Sequence, residues 1–377
     1  MFYIDSLTIR GFRNYRQQQL QFHPRLNLII GKNAQGKTNL LESIYYLSVN
    51  RSFRTNRDQD LPHWEESTFF IKGIFIKDEF KHSVQTSYSQ NNQLKILIND
   101  NPVNRYDHLQ TFPVVIFSPD DLQIIKDGPS VRRRFINLEA SRLNPAYLKE
   151  LKAYQRVLLQ RNHLLKEKHD YCNYKTLLEP WDQSLVSLGS NIIRERIKII
   201  NDLEQEADCF FNLMTGGREK LSLKYESTVR YYYDHAEMKN NYMQALLDKR
   251  SQEIKKGTTT IGPHLDDLKI SINGYDTRRY SSQGQKRTAA LALKMAEVHL
   301  FKKINNECPV ILLDDVFSEF DSHRKENLLD FLRDNADQCF ISTAINVDNF
   351  GDKLKKGHKR FIVFQGSIKD ETVGVVD

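Results

Sequence analysis

No run of about 18 to 20 apolar residues occurs in this chain, which excludes a helical membrane span of ordinary length. Cysteine is scarce. The four present, Cys172, Cys209, Cys308 and Cys339, include none of the close pairs that build zinc sites or dithiol redox motifs, so they read as buried free thiols. Met1-Phe2-Tyr3-Ile4-Asp5 has neither the basic stretch nor the cleavage site of a secretory signal, and the expected location is the cytoplasm. Internal repeats and low-complexity tracts are missing as well. What is there is 377 residues at 40% hydrophobic, enough for roughly two or three cored domains.

Acidic residues are outnumbered, and the imbalance is local. Between Lys126 and Lys168 eleven Lys or Arg face four acids, an excess equal to the +7 of the whole chain. A concentrated basic segment suits a polyanion, because each phosphate contact releases counterions. A solvated helix face has the same composition.

Strand texture opens the chain at 3–9 and 26–30, and Leu40, Leu41, Ile44 and Leu47 follow at helical spacing. Short β-branched and aromatic runs at 69–76, 81–88, 94–98 and 114–117, separated by Asn and Asp turn signals, predict an antiparallel sheet. Beyond Ser118-Pro119-Asp120-Asp121 the period changes to three and four. This predicts long helices over about 134–168 and 177–214, with a turn at 171–175 and Pro180. A strand at 221–225, a helix over about 234–256 and a hairpin around Asn273-Gly274 come next. The expected division is a head in two parts, residues 1–120 and 251–377, with an inserted arm, residues 121–250.

The chemistry lies at the two ends. Gly31-Lys32-Asn33-Ala34-Gln35-Gly36-Lys37-Thr38, between a strand and a helix, has the composition of a phosphate loop. Its glycines let backbone N–H groups approach phosphates, Lys37 reaches the β- and γ-phosphates, and Thr38 presents a hydroxyl to Mg²⁺. Val310-Ile311-Leu312-Leu313 reads as a buried strand delivering Asp314 to Mg²⁺ and Asp315 to an attacking water. Ser281-Ser282-Gln283-Gly284-Gln285 opens a helix over 286–301, where Ser282 and Gly284 can meet a γ-phosphate. Asp314 follows Gln285 by 29 residues, enough for one helix and a turn.

This order, with Ser318-Glu319-Phe320-Asp321 after it, resembles the ATP-binding-cassette superfamily, in which the signature of one subunit caps ATP held by another. Within its SMC-like branch the chain is most similar to the RecF family of DNA repair proteins. The resemblance rests on Phe12-Arg13-Asn14-Tyr15, Gly36-Lys37-Thr38-Asn39-Leu40-Leu41-Glu42, Arg51-Ser52-Phe53-Arg54, Gly128-Pro129-Ser130-Val131-Arg132-Arg133-Arg134-Phe135, Gly262-Pro263-His264, Asp266-Asp267-Leu268 and the run from Ser282 to Lys294. It implies an α/β fold: an ABC-type ATPase head of mixed sheet and helices with an antiparallel β subdomain, carrying a mainly helical arm. It also implies ATP and Mg²⁺ as cofactors, slow DNA-stimulated hydrolysis, and a homodimer formed on ATP. Single- and double-stranded DNA, RecR and RecO are the implied partners, with RecA served indirectly and no membrane.

Two departures stand out. The histidine that many cassette ATPases carry after the next strand is replaced by Ile341-Ser342-Thr343, so γ-phosphate sensing falls to Ser342 or Thr343. Leu265 stands where the family block usually has Arg. Arg51, Arg54, Arg132, Arg133 and Arg134 are candidate DNA contacts, each balanced by a solvated or structural alternative. A metal site of His264, Asp266 and Asp267 is disfavoured, because residues on a strand alternate faces; turn hydrogen bonds or a dimer interface suit them better. The loop 117–122 is the nearest counterpart of a Q-loop. At this level a transporter ATPase subunit and a phosphate-loop kinase remain as alternatives.

Overall fold

The structure is a computed structural model that describes residues 1–89, 94–104, 112–167, 171–231, 234–344 and 357–371. The chain runs β1 (Phe2–Phe12), β2 (Tyr15–Gln21), β3 (Leu26–Ile30), α1 (Lys37–Val49), β4 (Phe69–Lys77), β5 (Phe80–Tyr88), β6 (Leu94–Ile98), β7 (Asn101–Pro102) and β8 (Val114–Phe117). Helices α2 (Leu122–Lys126), α3 (Pro129–Leu143), α4 (Pro145–Lys166) and α5 (Tyr171–Thr215) follow, then β9 (Leu221–Glu226) and α6 (His235–Lys256). The remainder is β10 (Asp267–Ile272), β11 (Tyr275–Asp276), α7 (Thr277–Tyr280), α8 (Gln283–Asn305), β12 (Val310–Asp314), α9 (Ser322–Asn335), β13 (Cys339–Thr343), β14 (His358–Phe364) and β15 (Ser367–Glu371).

Contacts divide the chain into two units. The head comprises Met1–Leu122, Cys209–Arg218 and Arg287–Asp377; the arm comprises Gln123–Asp208 and Glu219–Lys286. The return to the head thus falls at 287, where the sequence texture had suggested 251.

In the head, β15-β14-β3-β13-β12-β8 form one sheet and β2-β1-β4-β5-β6-β7 another. Every residue of β8, β12 and β13 is buried, as parallel strands covered on both faces require. The first sheet is parallel from β14 to β8, and β15 adds an antiparallel edge. β13 lies between β3 and β12. That order sets the end of β13 between the phosphate loop and Asp314. Helix α1 is buried over most of its length and stops at Asn50, whose left-handed backbone (φ 51°) sends its N–H to the Tyr46 carbonyl. Leu26, Leu28, Leu291, Met295, Leu313 and Leu328 share one core, each contributing roughly 2 kcal/mol by leaving water.

The arm corrects the helix boundaries. A single helix over 134–168 does not form, because Asn144-Pro145 breaks it: Asn144 leaves the helical region and its side chain accepts the Ala146 N–H at 3.0 Å. Conversely, Pro180 lies inside the 45-residue α5 and marks no turn. Tyr174 and Leu178, just before it, are buried against Leu165, and that packing opposes the roughly 3 kcal/mol an interior proline costs. The sheet β11-β10-β9 belongs to this unit. Of the cysteines, Cys339 is buried, whereas Cys209 is exposed; the Cys172 side chain lies outside the described residues.

Candidate nucleotide site

The phosphate loop is held from below by β1 and β2. Tyr15 Oη donates to the Gly36 carbonyl at 2.9 Å and Asn14 Nδ2 to the Gln35 carbonyl at 3.0 Å. Burial pushes the Tyr15 phenol well above its ordinary pKa, which keeps it a neutral donor. Gly36 has φ 123°, and a Cβ there would stand 2.7 Å from Asn14 Nδ2, so the position admits only glycine. The β14–β15 turn holds the loop from the other side, with Gly366 N–H on the Gln35 carbonyl at 3.1 Å and Gln365 N–H on Gln35 Oε1 at 2.8 Å.

Inside the loop, Lys37 is 6% exposed and donates to the carbonyls of Gly31 (2.7 Å) and Lys32 (3.0 Å). Burial lowers its pKa, while Asp315 and Asp314 oppose that shift. Thr38 Oγ1 donates to Asp314 Oδ1 at 3.0 Å, and Ser342 Oγ donates to the same oxygen at 2.7 Å. Burial raises the Asp314 carboxyl; the two hydroxyl donors counter it and Asp315 adds to it. The Ser342 oxygen also accepts the Asp315 N–H at 3.0 Å. Asp315 itself is left-handed, φ 50° and ψ 25°, a region that Asp and Asn tolerate better than most residues.

Three of the sequence blocks meet behind the loop on one buried carboxylate. Glu42 accepts two hydrogen bonds from Arg13, at 2.8 and 2.7 Å, and a third from Ser52. Arg54 lies 3.6 Å from it and donates to Asn39 Oδ1 at 2.9 Å. Glu42 and Arg13 stand in the quoted blocks, but nothing in sequence assigned them to each other. Arg51 is exposed.

Ser282, Gly284 and Gln285 belong to the arm unit. Ser282 Oγ accepts the Gln285 N–H at 3.2 Å, and Gln285 Oε1 accepts the Ser282 N–H at 2.8 Å. This reciprocal capping box starts α8 and leaves Ser282 on the surface.

The remaining arm candidates separate. Arg132 is buried and grips Asp267 through two bonds of 2.8 and 2.7 Å, so as a DNA contact it is corrected to a structural tie. Arg133 donates to the Asp266 carbonyl at 2.9 Å; Arg134 is exposed. His264 bonds the Tyr154 hydroxyl at 2.7 Å, and Asp266 accepts from Tyr225, Ser227 and Thr228. The block Gly262-Pro263-His264 therefore works in turn hydrogen bonding, and among the described residues no group of three or more His, Cys, Asp or Glu could hold a metal. Leu265 is 42% exposed. The loop 117–122 forms a turn capped by Ser118 and Asp121.

A phosphate loop after a central parallel strand and an Asp at the end of a strand one removed from it define the head of an ATP-binding-cassette ATPase. The chain belongs to the RecF family: residues 3–356 match the family described as RecF/RecN/SMC N terminal domain. It is 37% identical over 370 residues to "DNA replication and repair protein RecF" of Halalkalibacterium halodurans, covering 97% of this chain and 99% of that one. The RecF of Halothermothrix orenii is 40% identical over 376 residues, covering 97% and 98%. Among solved structures, the recombination mediator protein RecF-ATP in the RecFOR pathway is similar at a TM-score of 0.89 and 35% identity, covering 98% of each chain. An Smc head domain from Pyrococcus furiosus, 17% identical with a TM-score of 0.56 and covering 99% and 96%, shares the fold. The family sets aside the transporter and kinase alternatives. No helix among the described residues is long and apolar enough to cross a membrane.

Proposed function

We propose that this chain is an ATP-gated DNA-binding protein of recombinational repair, which dimerises on ATP, engages DNA at junctions of duplex and single strand, and is released by slow hydrolysis. The observation that carries this reading is the meeting of Lys37, Thr38 and Asp314, while Ser282, Gly284 and Gln285 present a capped helix N-terminus suited to a second copy's γ-phosphate. Gly31, Lys32, Asn33, Ala34, Gln35 and Gly36 would wrap the phosphates. Thr38 Oγ1 and Asp314 Oδ1 are the hard oxygen donors that Mg²⁺ prefers and would hold it, where it would supply neutralising charge to the phosphate oxygens. Asp315 orients or deprotonates the attacking water; Ser342 positions both aspartates.

DNA would lie along the arm. Lys149, Arg156, His163 and Lys166 are exposed at helical spacing on α4, and Arg134 is exposed on α3. Arg51 and Arg54 are the candidates on the head. RecO and RecR are the expected partners, with RecA loaded through them, in the cytoplasm at the nucleoid.

Sedimentation with and without ATP and a gapped DNA tests this reading. Wild type should form an ATP-dependent dimer that binds DNA, Lys37→Ala should do neither, and Asp315→Asn should accumulate as the ATP dimer. A Lys37→Ala variant that still dimerised on ATP would refute the shared site.

A further inference from the structure

Two exposed aromatic surfaces have no part in the chemistry above. On the head, Trp64 is 84% exposed, with its ring edge-on to the buried His63, centroids 5.8 Å apart. It stands on a cavity of about 410 Å³ whose lining includes Asn14, Ala34 of the phosphate loop and Gly366. Glu65 and Glu66 follow it, both exposed, and Glu65 pairs with Arg16 at 2.5 Å. On the arm, Tyr275 and Tyr280 are 68% and 70% exposed, their rings 6.3 Å apart and edge-on, with Arg278 and Arg279 exposed between them. Asp276 holds this turn by accepting the N–H groups of Arg278 (2.8 Å) and Arg279 (3.3 Å).

Trp, Tyr and Arg are the residues in which the centres of protein interfaces are enriched. The two candidate occupants of the arm patch are a nucleic acid and a protein. The cavity beneath the patch is lined by Arg132, Lys269, Arg278 and Arg279 against Glu226, Asp267 and Asp276. That near-balance gives a polyanion little of the cumulative field on which it depends at the cavity itself. A protein face with its own acids suits it better.

Symmetry then selects the face. In a two-fold pair, if residue i of one copy touches residue j of the other, j also touches i. Tyr280 is two residues before Ser282, and the Trp64 cavity adjoins the phosphate loop. If Ser282 reaches the nucleotide on a second copy's phosphate loop, the residues flanking these two elements are brought close to one another. Aromatic then faces aromatic, and Arg278-Arg279 faces Glu65-Glu66. We propose that the Arg278-Arg279-Tyr280 patch docks on the Trp64-Glu65-Glu66 patch of a second copy, twice per dimer, and closes the rim around each nucleotide. The proposal rests on the ATP-dimer reading and deepens it by naming the docking surfaces.

Charge reversal in the full chain tests it. Glu65→Arg with Glu66→Arg should weaken ATP-dependent self-association about tenfold or more, Arg278→Glu with Arg279→Glu should do the same, and all four together should restore most of it. As a second measurement, chains lacking native cysteines and carrying Trp64→Cys or Tyr280→Cys, mixed with a bismaleimide, should cross-link to each other only with ATP. Undiminished dimerisation of both reversed variants, or no cross-link within a dimer that does form, would overturn the proposal. So would loss of nucleotide binding by the Glu65→Arg, Glu66→Arg monomer, which would assign those acids to the nucleotide. Reduced DNA affinity of Arg278→Glu, Arg279→Glu with unchanged dimerisation would make the patch a nucleic-acid surface and overturn it too. A wild type that never dimerises on ATP removes the parent reading, a failure distinct from these.

Discussion

Thr38 Oγ1 and Asp314 Oδ1 lie 3.0 Å apart although 276 residues separate them in sequence. The contact joins the first turn of α1 to the end of β12, and the hydroxyl of Ser342 completes it from β13 at 2.7 Å. Since Ser342 donates to Asp314 and accepts from the Asp315 backbone, it holds the spacing of the acidic pair.

Ser342→Ala should therefore impair turnover more than binding. Removing a donor from a buried carboxylate costs about 1 to 1.5 kcal/mol, which predicts a loss of about tenfold in phosphate release. Fluorescent-nucleotide titration should show a change in affinity of no more than about threefold. A larger loss of affinity would make Ser342 a ligand contact.

Glu42→Ala should destabilise the head. The carboxylate is fully buried and holds Arg13 and Ser52. Removing one partner of such a pair costs about 3 kcal/mol. Denaturant titration of the purified chain measures this, and Glu42→Gln, which keeps the shape and one acceptor, should lose less.

Asp121 supplies a pH signature. Burial pushes its carboxyl up to about 6, against the pull of Lys294 and the Ser118 N–H. With the folded value raised above the ordinary 3.8, the folded chain binds more protons between about pH 4 and 6, so this group's contribution to stability falls as pH rises through that window and its penalty is complete above it. The side chain keeps some exposure, and screening brings the effect to about 1 kcal/mol. Asp121→Asn keeps an acceptor for Ser118 and should remove the slope. A wild-type stability that rose from pH 4 to 6 in step with the variant would refute the assignment.

Arg132 and the α4 stripe should respond differently. Arg132→Ala leaves Asp267 without its partner and should cost the arm about 2 to 3 kcal/mol, with little change in how DNA affinity depends on salt. Lys149→Ala with Arg156→Ala should leave stability within about 0.5 kcal/mol and lower the slope of log K against log salt by about two. The paired measurements separate structural basic residues from those offered to phosphate.

Much of the head was legible because its signals are local. A glycine loop between an apolar strand and an amphipathic helix, or an acidic pair ending an apolar strand, needs only neighbours in sequence to be recognised, and Lys37, Thr38 and Asp314 stand out as candidates in this way. The break at Asn144-Pro145 was equally local, yet helical periodicity concealed it. Pro180 misled in the opposite sense, since burial of Tyr174 and Leu178 overrode its propensity to end a helix.

What the sequence by itself determined was the inventory: a glycine loop, an acidic pair, a Ser-x-Gly-Gln element, and a basic segment at 126–168 whose excess equals the net charge of the whole chain. Only the tertiary structure decided how that inventory is used. It assigned Arg132 to Asp267, Arg13 to Glu42 and Ser342 to Asp314. These assignments depend on strand order and burial: β13 lies between β3 and β12, and a carboxylate removed from water must find donors wherever the fold brings them. A count of charges cannot distinguish an arginine held by such a carboxylate from one left on the surface.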